Sequence, residues 1–441
     1  MYKRKIKKNK NQKLWNNAKK IIPGGNMFLS KKPEMFLPGK WPVYYSKAKG
    51  CEIWDISGKK YIDMALMGVG TNILGYSNAE VNRCVIKAVN KSNVSSLNCY
   101  EEVLLSKKLI KLHPWAHMVK LARTGGEANS IAIRIARAAS NKDKIAFCGY
   151  HGWHDWYLSA NIDNKKNLDN QLLSGLNTKG VPKALKKTSF PFEYNNFKKL
   201  ETIVKKHSIG VIKMEVSRNV RPENNFLKKV RKLATKNRII LIFDECTSGF
   251  RENFGGLHKI YKVEPDIAIF GKALGNGHPI TAVIGKKNVM KYAQDSFISS
   301  TFWTERSGPA AALKTLELME KLKSWKKISD SGKLIEKGWL KLAKKYNLNI
   351  RCYGLKSIKS FEIKSKNWLK YKTLISQEML KKGFLASNMI FVCINHNKNI
   401  IDKYLANLEK VFKLIGECEK KDIIDNHLES PVCKTGFFRL N

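Results

Sequence analysis

Short runs, most of them continuously apolar, recur through the first two thirds of the chain, at residues 51–55, 118–122, 144–148, 210–216, 239–244, 266–270 and 282–285. Runs with little polar alternation predict strands buried on both faces, the habit of a largely parallel sheet. Between them the apolar period lengthens to that of a helix, at 127–140, where Ile131, Ile135 and Ala138 share a face, and at 196–207, 226–237 and 309–323. Strand alternating with helix predicts an α/β fold, a mostly parallel central sheet flanked by helices with right-handed crossovers. Ligands of such sheets sit beyond the carboxyl ends of the strands, so chemistry is expected there. After about residue 320 the pattern changes to lysine-rich helices with short strands at 358–363 and 390–394, which predicts a smaller α+β C-terminal domain. The expected division is an N-terminal segment over 1–65, a large ligand-binding domain over 66–320 and the small domain over 321–441.

Composition adds that the chain folds: 441 residues at 43% hydrophobic can bury a large core, which excludes disorder as the main state. The nine cysteines are scattered without a C-x-x-C pair, which suggests neither a disulfide framework nor a zinc ribbon and fits a reducing cytosol. No apolar stretch of about 18 residues is present, and the basic start lacks an apolar signal core, so a cytoplasmic protein without a membrane span is expected. The charge is extreme, 82 Lys+Arg against 36 Asp+Glu, formally +46. Of those cations 69 are Lys, spread over almost every segment, whereas proteins that read bases favour the bidentate fork of Arg. The excess therefore reads as a solvated lysine surface, with no dedicated nucleic-acid partner. Only the first twenty residues, with nine Lys/Arg, form a cluster, expected to be a frayed basic tail.

Four strand ends carry candidate chemistry. The run at 118–122 is followed by Arg-Thr-Gly-Gly-Glu-Ala (123–128) and at once by a helix, so Gly125 and Gly126 let the backbone approach an anion at a helix N-terminus. The run at 239–243 ends in Asp244 and Glu245, a carboxylate pair at a buried strand tip; a helix cap or an ion pair with Arg251 is the structural alternative. The run at 266–270 ends in Gly271-Lys272, where an amine held near the sheet has its pKa depressed and becomes a nucleophile. The aromatic tract 148–157 follows a further strand and offers Tyr150 for a flat ring. His151 and His154 lack a third ligand at metal spacing, and Pro114 interrupts His113 and His117, read as a packed surface pair, so no metal is expected.

A phosphate cradle, a carboxylate for a ring nitrogen, a stacking aromatic and an activated lysine are what pyridoxal 5′-phosphate requires. At these residues the chain resembles the class III aminotransferases of fold type I, in the branch of glutamate-1-semialdehyde 2,1-aminomutase. The likeness runs from Ile-Ile-Pro-Gly-Gly (21–25) through 48–63, 124–128, 244–251 and 270–279 to Gly-Phe-Leu-Ala-Ser-Asn-Met-Ile (383–390). It implies that Lys272 binds the cofactor as a Schiff base and moves the substrate proton, and that Asp244 pairs with the ring nitrogen. It places Gly125 and Gly126 at the phosphate, Tyr150 and Cys246 on the two ring faces and Glu215 near the cofactor. Thr301 would reach the phosphate of the partner subunit, which implies a homodimer with shared active sites.

The departures bear on substrate. The cradle reads Thr-Gly-Gly-Glu (124–127) where the family usually has Ser-Gly-Thr-Glu. The segment at 26–32, Asn-Met-Phe-Leu-Ser-Lys-Lys, lacks the mutase's arginine, and Phe-Trp-Thr-Glu-Arg-Ser-Gly-Pro (302–309) replaces the mutase's small-residue pattern. The expectation is an aminotransferase working between a small-molecule amino donor and a keto or aldehyde acceptor. The polar aromatic tract at 151–157 suits a hydroxylated, carbohydrate-related acceptor. The aminomutase, an isomerase, is the alternative, and a basic nucleic-acid-binding protein with a degenerate site is a remote third.

Overall fold

A computed structural model describes residues 10–437, and the chain divides into two units. One comprises residues 70–74 and 78–329; the other comprises the chain up to 69, residues 75–77 and the chain from 330 onward.

The first unit is built on a seven-stranded sheet. From edge to edge its strands are Met118–Ala122, Thr281–Gly285, Ile267–Phe270, Ile240–Glu245, Ile209–Glu215, Lys144–Cys148 and Ser189–Pro191. Five of them run parallel, from Ile267–Phe270 to Ser189–Pro191, while Thr281–Gly285 is antiparallel to both its neighbours. The sheet is thus mostly parallel, and the apolar runs account for it. Every residue of Ile209–Glu215, Ile267–Phe270 and Thr281–Gly285 is buried. The helix Gly125–Ser140 lays Ile131, Ala132 and Ile135 onto Val211, Ile242, Ile267 and Val283. Helices Ala79–Asn90 and Tyr100–Leu112 and the three-residue edge strand Ser189–Pro191 were not anticipated. The strand is too short to show a period.

The second unit holds two small sheets. In the first, Tyr45–Lys49, Glu52–Asp55 and Lys60–Met64 pair antiparallel, and Phe384–Ala386 adds parallel to the third. In the other, Ile358–Ile363 lies between Ile350–Leu355 and Met389–Phe391, antiparallel to both. Helices Trp368–Lys381 and Lys398–Lys421 belong to the same unit.

The expected frayed tail is corrected here. Residues 1–9 lie outside the described residues, but Lys10–Ile21 is a helix with Asn11, Trp15 and Ala18 buried. Asn11 Oδ1 accepts from the amides of Val43 and Tyr44, and Trp15 Nε1 donates to Glu34 Oε1 at 3.1 Å. Three anchors on one face outweigh the lysines, which point outward. Trp15→Ala is expected to cost about 3–5 kcal/mol, the usual range for emptying a buried aromatic site. A thermal unfolding curve unchanged by the substitution would return the segment to a loose tail.

Candidate active site

The strand Ile267–Phe270 delivers Lys272 to the site. After Gly271 the chain turns sharply, and Lys272 opens the 3₁₀ turn Lys272–Gly275 with φ of 40°, a left-handed conformation that an L-residue adopts at a cost. Its Nζ lies 2.8 Å from Thr247 Oγ1. Burial, helped by the charge of Arg218, pushes its pKa down to about 8, against the attraction of Cys246 and Glu215. About a tenth of the amine is therefore neutral at pH 7, far more than for an ordinary lysine, which is what a nucleophilic lysine needs.

The neighbouring parallel strand, Ile240–Glu245, delivers Asp244, which is buried. Its Oδ2 sits 2.8 Å from His151 Nδ1 and 3.4 Å from Lys213 Nζ, and its Oδ1 accepts the amide of Cys246 at 3.0 Å. Burial would raise the carboxyl's pKa, but Lys213, His151 and that amide outweigh it and hold Asp244 ionised well below the ordinary range. Lys213 is fully buried inside the strand Ile209–Glu215, where burial lowers its pKa and Asp244 opposes the shift. Burial, then Lys213, likewise pushes His151 down to about 4.

The other strand-end residue of the expected pair, Glu245, does not meet Arg251. It accepts from His258 N and lies against His258 Nδ1, both at 2.9 Å, and from Ser248 Oγ. Arg251 instead donates to the carbonyls of Thr247 and Gly70.

The glycine pair opens the helix Gly125–Ser140 behind a capping box, in which Thr124 Oγ1 accepts from Glu127 N and Glu127 Oε2 accepts from Thr124 N. Gly125 and Gly126 belong to the first turn, whose amides lack intrahelical acceptors. At Gly126 a Cβ would stand 2.8 Å from His154 Nε2, so the tract after Lys144–Cys148 lies close over the turn, and a larger residue there would have to displace the imidazole. A Cβ on Gly125 would meet Cys246 Sγ at 3.7 Å, and one on Gly271 would meet it at 3.3 Å. Cys246 thus touches both the cradle and the lysine loop. Tyr150 is half-buried, and its amide donates to Glu215 Oε2 at 3.3 Å.

Lys272, Asp244, Cys246, Gly125, Gly126, Tyr150 and Glu215 are linked through these contacts. Thr301 is not joined to them: it heads the 3₁₀ turn Thr301–Thr304 and is exposed. The turn is still tied to the cradle, because Trp303 Nε1 donates to Glu127 Oε1 and Arg123 Nη2 donates to the Trp303 carbonyl. Among the described residues no three or more His, Cys, Asp or Glu side chains converge as a metal site. His151 serves Asp244, and His154 Nδ1 lies 2.7 Å from Ser130 Oγ. His113 and His117 are not a surface pair either: His113 is buried between the Leu109 carbonyl and the Gly256 amide, and only His117 is exposed.

Three functional neighbours escaped the sequence reading. Lys213 is visible in the sequence as a lone cation inside a run buried on both faces; the spacing of His151 to His154 suggests only a metal ligand, and Arg218 sits in irregular chain after Glu215 with no pattern to mark it.

Residues 38–393 match the family model described as aminotransferase class-III. The chain belongs to the class-III aminotransferases. It is 36% identical over 327 residues to a 3-aminobutyryl-CoA aminotransferase of Cloacimonas acidaminovorans, covering 72% of this chain and 74% of the relative. A glutamate-1-semialdehyde 2,1-aminomutase of Methanocaldococcus jannaschii is 29% identical over 434 residues, 92% of this chain and 99% of the relative. Among solved structures, the FumI protein of Sphingopyxis sp. MTA144 in its PLP internal aldimine form superposes with a TM-score of 0.84 at 21% identity, over 93% of this chain and 97% of that one. An omega-transaminase from Sphaerobacter thermophilus gives 0.80 at 19% identity, over 92% of this class-III chain and 97% of its own. At those identities the structures speak for the fold, which is that of the fold type I transaminases. No helix among the described residues of this aminotransferase is long and apolar enough to cross a membrane.

Proposed function

We propose that this chain is a pyridoxal 5′-phosphate-dependent aminotransferase that moves an amino group between a small-molecule donor and a keto or aldehyde acceptor in the cytoplasm. The observation that carries the reading is one cluster holding Lys272 with a depressed pKa and Asp244 kept ionised, with Cys246 against both Gly271 and Gly125. The donor set fits the cofactor. Asp244 accepts three hydrogen bonds of the roughly four a carboxylate can take, which leaves room for a ring N–H. Gly125 and Gly126 would hold the phosphate, Tyr150 and Cys246 would flank the ring, and Glu215 would stand beside it. When bound, pyridoxal phosphate supplies an electron sink for the substrate carbon.

The chain's own residues do the rest. Lys272 Nζ would hold the cofactor covalently, and as a free amine it would be the base that takes the substrate's α-proton and, once protonated, the acid that gives it back. Thr247 Oγ1 accepts from Lys272 Nζ and orients it. Asp244, steadied by His151 and Lys213, supplies fixed negative charge where the ring nitrogen would lie. The purified protein is expected to absorb visible light as a lysine-bound pyridoxal phosphate and to lose the band when an amino donor is added. A colourless protein that takes up no cofactor would refute the reading.

Phe297 and Phe302, 87% and 68% exposed, flank the exposed Thr301 along the chain, and Leu97 is 82% exposed, apolar side chains suited to burial against a second copy of the chain. A homodimer with Thr301 reaching the partner's site is therefore expected, and Leu97→Asp with Phe302→Asp should yield monomers in light-scattering chromatography. For a carbohydrate-related acceptor the tract 151–157 offers the exposed Trp153 and Asp155 and His154 Nε2, since His151 and Tyr157 use their polar atoms internally and Trp156 Nε1 is buried. The aminomutase reading is favoured by relatives such as that of Methanocaldococcus jannaschii. It requires glutamate-1-semialdehyde to give 5-aminolevulinate with no added donor or acceptor.

A further inference from the structure

Lys213 is a cation that the packing of the sheet does not call for. Every residue of the strand Ile209–Glu215 is buried, and Lys213 is 0% exposed. Its partners in register on the two neighbouring strands are Phe147 and Ile242. A buried ion pair gains little over apolar side chains of similar volume, so a third apolar residue would fill this level of the sheet at least as well. What the lysine adds is charge, placed against Asp244.

Geometry separates it from the other partner of that carboxylate. Burial, then the charge of Lys213, pushes the His151 imidazole down to about 4, so it reaches Asp244 Oδ2, at 2.8 Å, as a neutral donor. Lys213 Nζ meets the same oxygen at 3.4 Å, beyond the span of a strong N–H···O bond, and therefore acts mainly through its charge. The other groups facing it weigh less. Glu215, two residues along and so on the same face of the sheet, is bound by Arg218 Nε at 3.0 Å and by the Tyr150 amide. The Cys246 thiol is kept protonated by burial and by Asp244.

The consequence falls on whatever Asp244 holds. A ring N–H brought to it would meet a carboxylate whose charge is already partly cancelled by a buried ammonium. The same charge that holds the Asp244 carboxyl well below its ordinary range disfavours a proton on a base beside it.

We propose that Lys213 is a positioning residue that, through Asp244, lowers the proton affinity of the pyridine nitrogen of bound pyridoxal phosphate, so that this nitrogen has lost its proton by about pH 9. The electron sink of this chain then weakens as pH rises. The proposal rests on the aminotransferase reading above and fails separately from it. If that reading fails, no visible band forms; if this one fails, the band forms and the ring nitrogen ignores Lys213.

The test uses holoenzyme loaded with pyridoxal phosphate isotopically labelled at the ring nitrogen, whose chemical shift separates protonated from unprotonated pyridine. A wild-type nitrogen that stays protonated up to pH 9 overturns the proposal without any variant. Lys213→Met and Lys213→Gln both remove the charge, and each is expected to move the titration upward by at least about one pH unit. An unchanged titration in both leaves Lys213 a structural partner of Asp244 and overturns the proposal. Glutamine keeps a donor, so a wild-type titration in Lys213→Gln alone would assign the effect to a hydrogen bond and overturn the role of charge. Thermal unfolding gives a reading that does not depend on the variants being stable without cofactor. A ring N–H returns a counter-charge to Asp244, so pyridoxal phosphate should raise the midpoint more in Lys213→Met than in the wild type, and an equal or smaller rise sinks the idea.

Discussion

Lys272→Ala is expected to remove the visible band of bound pyridoxal phosphate and to lower amino transfer by at least about 10²–10⁴-fold, the contribution of a positioned acid–base group alone. Folding should survive. The lysine side chain fills no core position; it ends beside Arg218 and Arg251, whose charges both lower its pKa, so removing it relieves repulsion. Alanine at φ of 40° is no more strained than the lysine it replaces. The thermal midpoint should therefore stay or rise while activity disappears, a split that damage to packing would not produce. The wild type offers a pH test of the same group. Because the amine's pKa is lowered to about 8, apo-protein should capture pyridoxal phosphate faster as pH rises, levelling off above that value as the neutral amine saturates. A capture rate that is flat between pH 6 and 9 would mean that another group is the nucleophile.

Why Lys272 was legible, and Arg218 was not, is a matter of what leaves a trace in one dimension. Residues at the ends of strands buried on both faces announce themselves, because the apolar run has to stop where the sheet meets its ligand. Gly125, Asp244 and Lys272 were found that way, and the strands behind them agree with the expected spans to within a residue or two: 210–216 against Ile209–Glu215, 239–244 against Ile240–Glu245. Tyr45–Lys49, an almost wholly exposed strand, has no apolar signal to read. The helix Lys10–Ile21 was hidden by its own lysines, since the anchors Asn11 and Trp15 depend on residues about thirty positions or more away for Asn11 and nineteen for Trp15. Arg218 depends on Thr247, twenty-nine residues along, and only the folded chain brings the two together. Lys213 is the instructive case. A cation inside an otherwise unbroken run looks like tolerance of a surface lysine in a chain with 69 of them, yet burial on both faces demands a buried anion nearby, and Asp244 is that anion.

Asp244→Asn is expected to damage both stability and chemistry, and the two can be separated. Neutralising the carboxylate leaves Lys213 buried without its counter-charge, and breaking a buried pair from one side typically costs about 3–5 kcal/mol. Urea unfolding at pH 7 measures it. The sign of the pH dependence follows from the depressed native pKa: the carboxylate's contribution is fully present above the unfolded value of about 3.9 and is lost as pH falls below it. The gap between wild type and variant should therefore narrow under acid. Adding Lys213→Met to Asp244→Asn removes the orphaned cation and should restore much of the stability, a coupling that two independent sites would not show. Activity should not return, because the double variant still lacks the negative charge that the ring nitrogen would face. Stability and activity recovering together would reduce Asp244 to a structural anchor for Lys213, whereas stability recovering alone assigns it both roles.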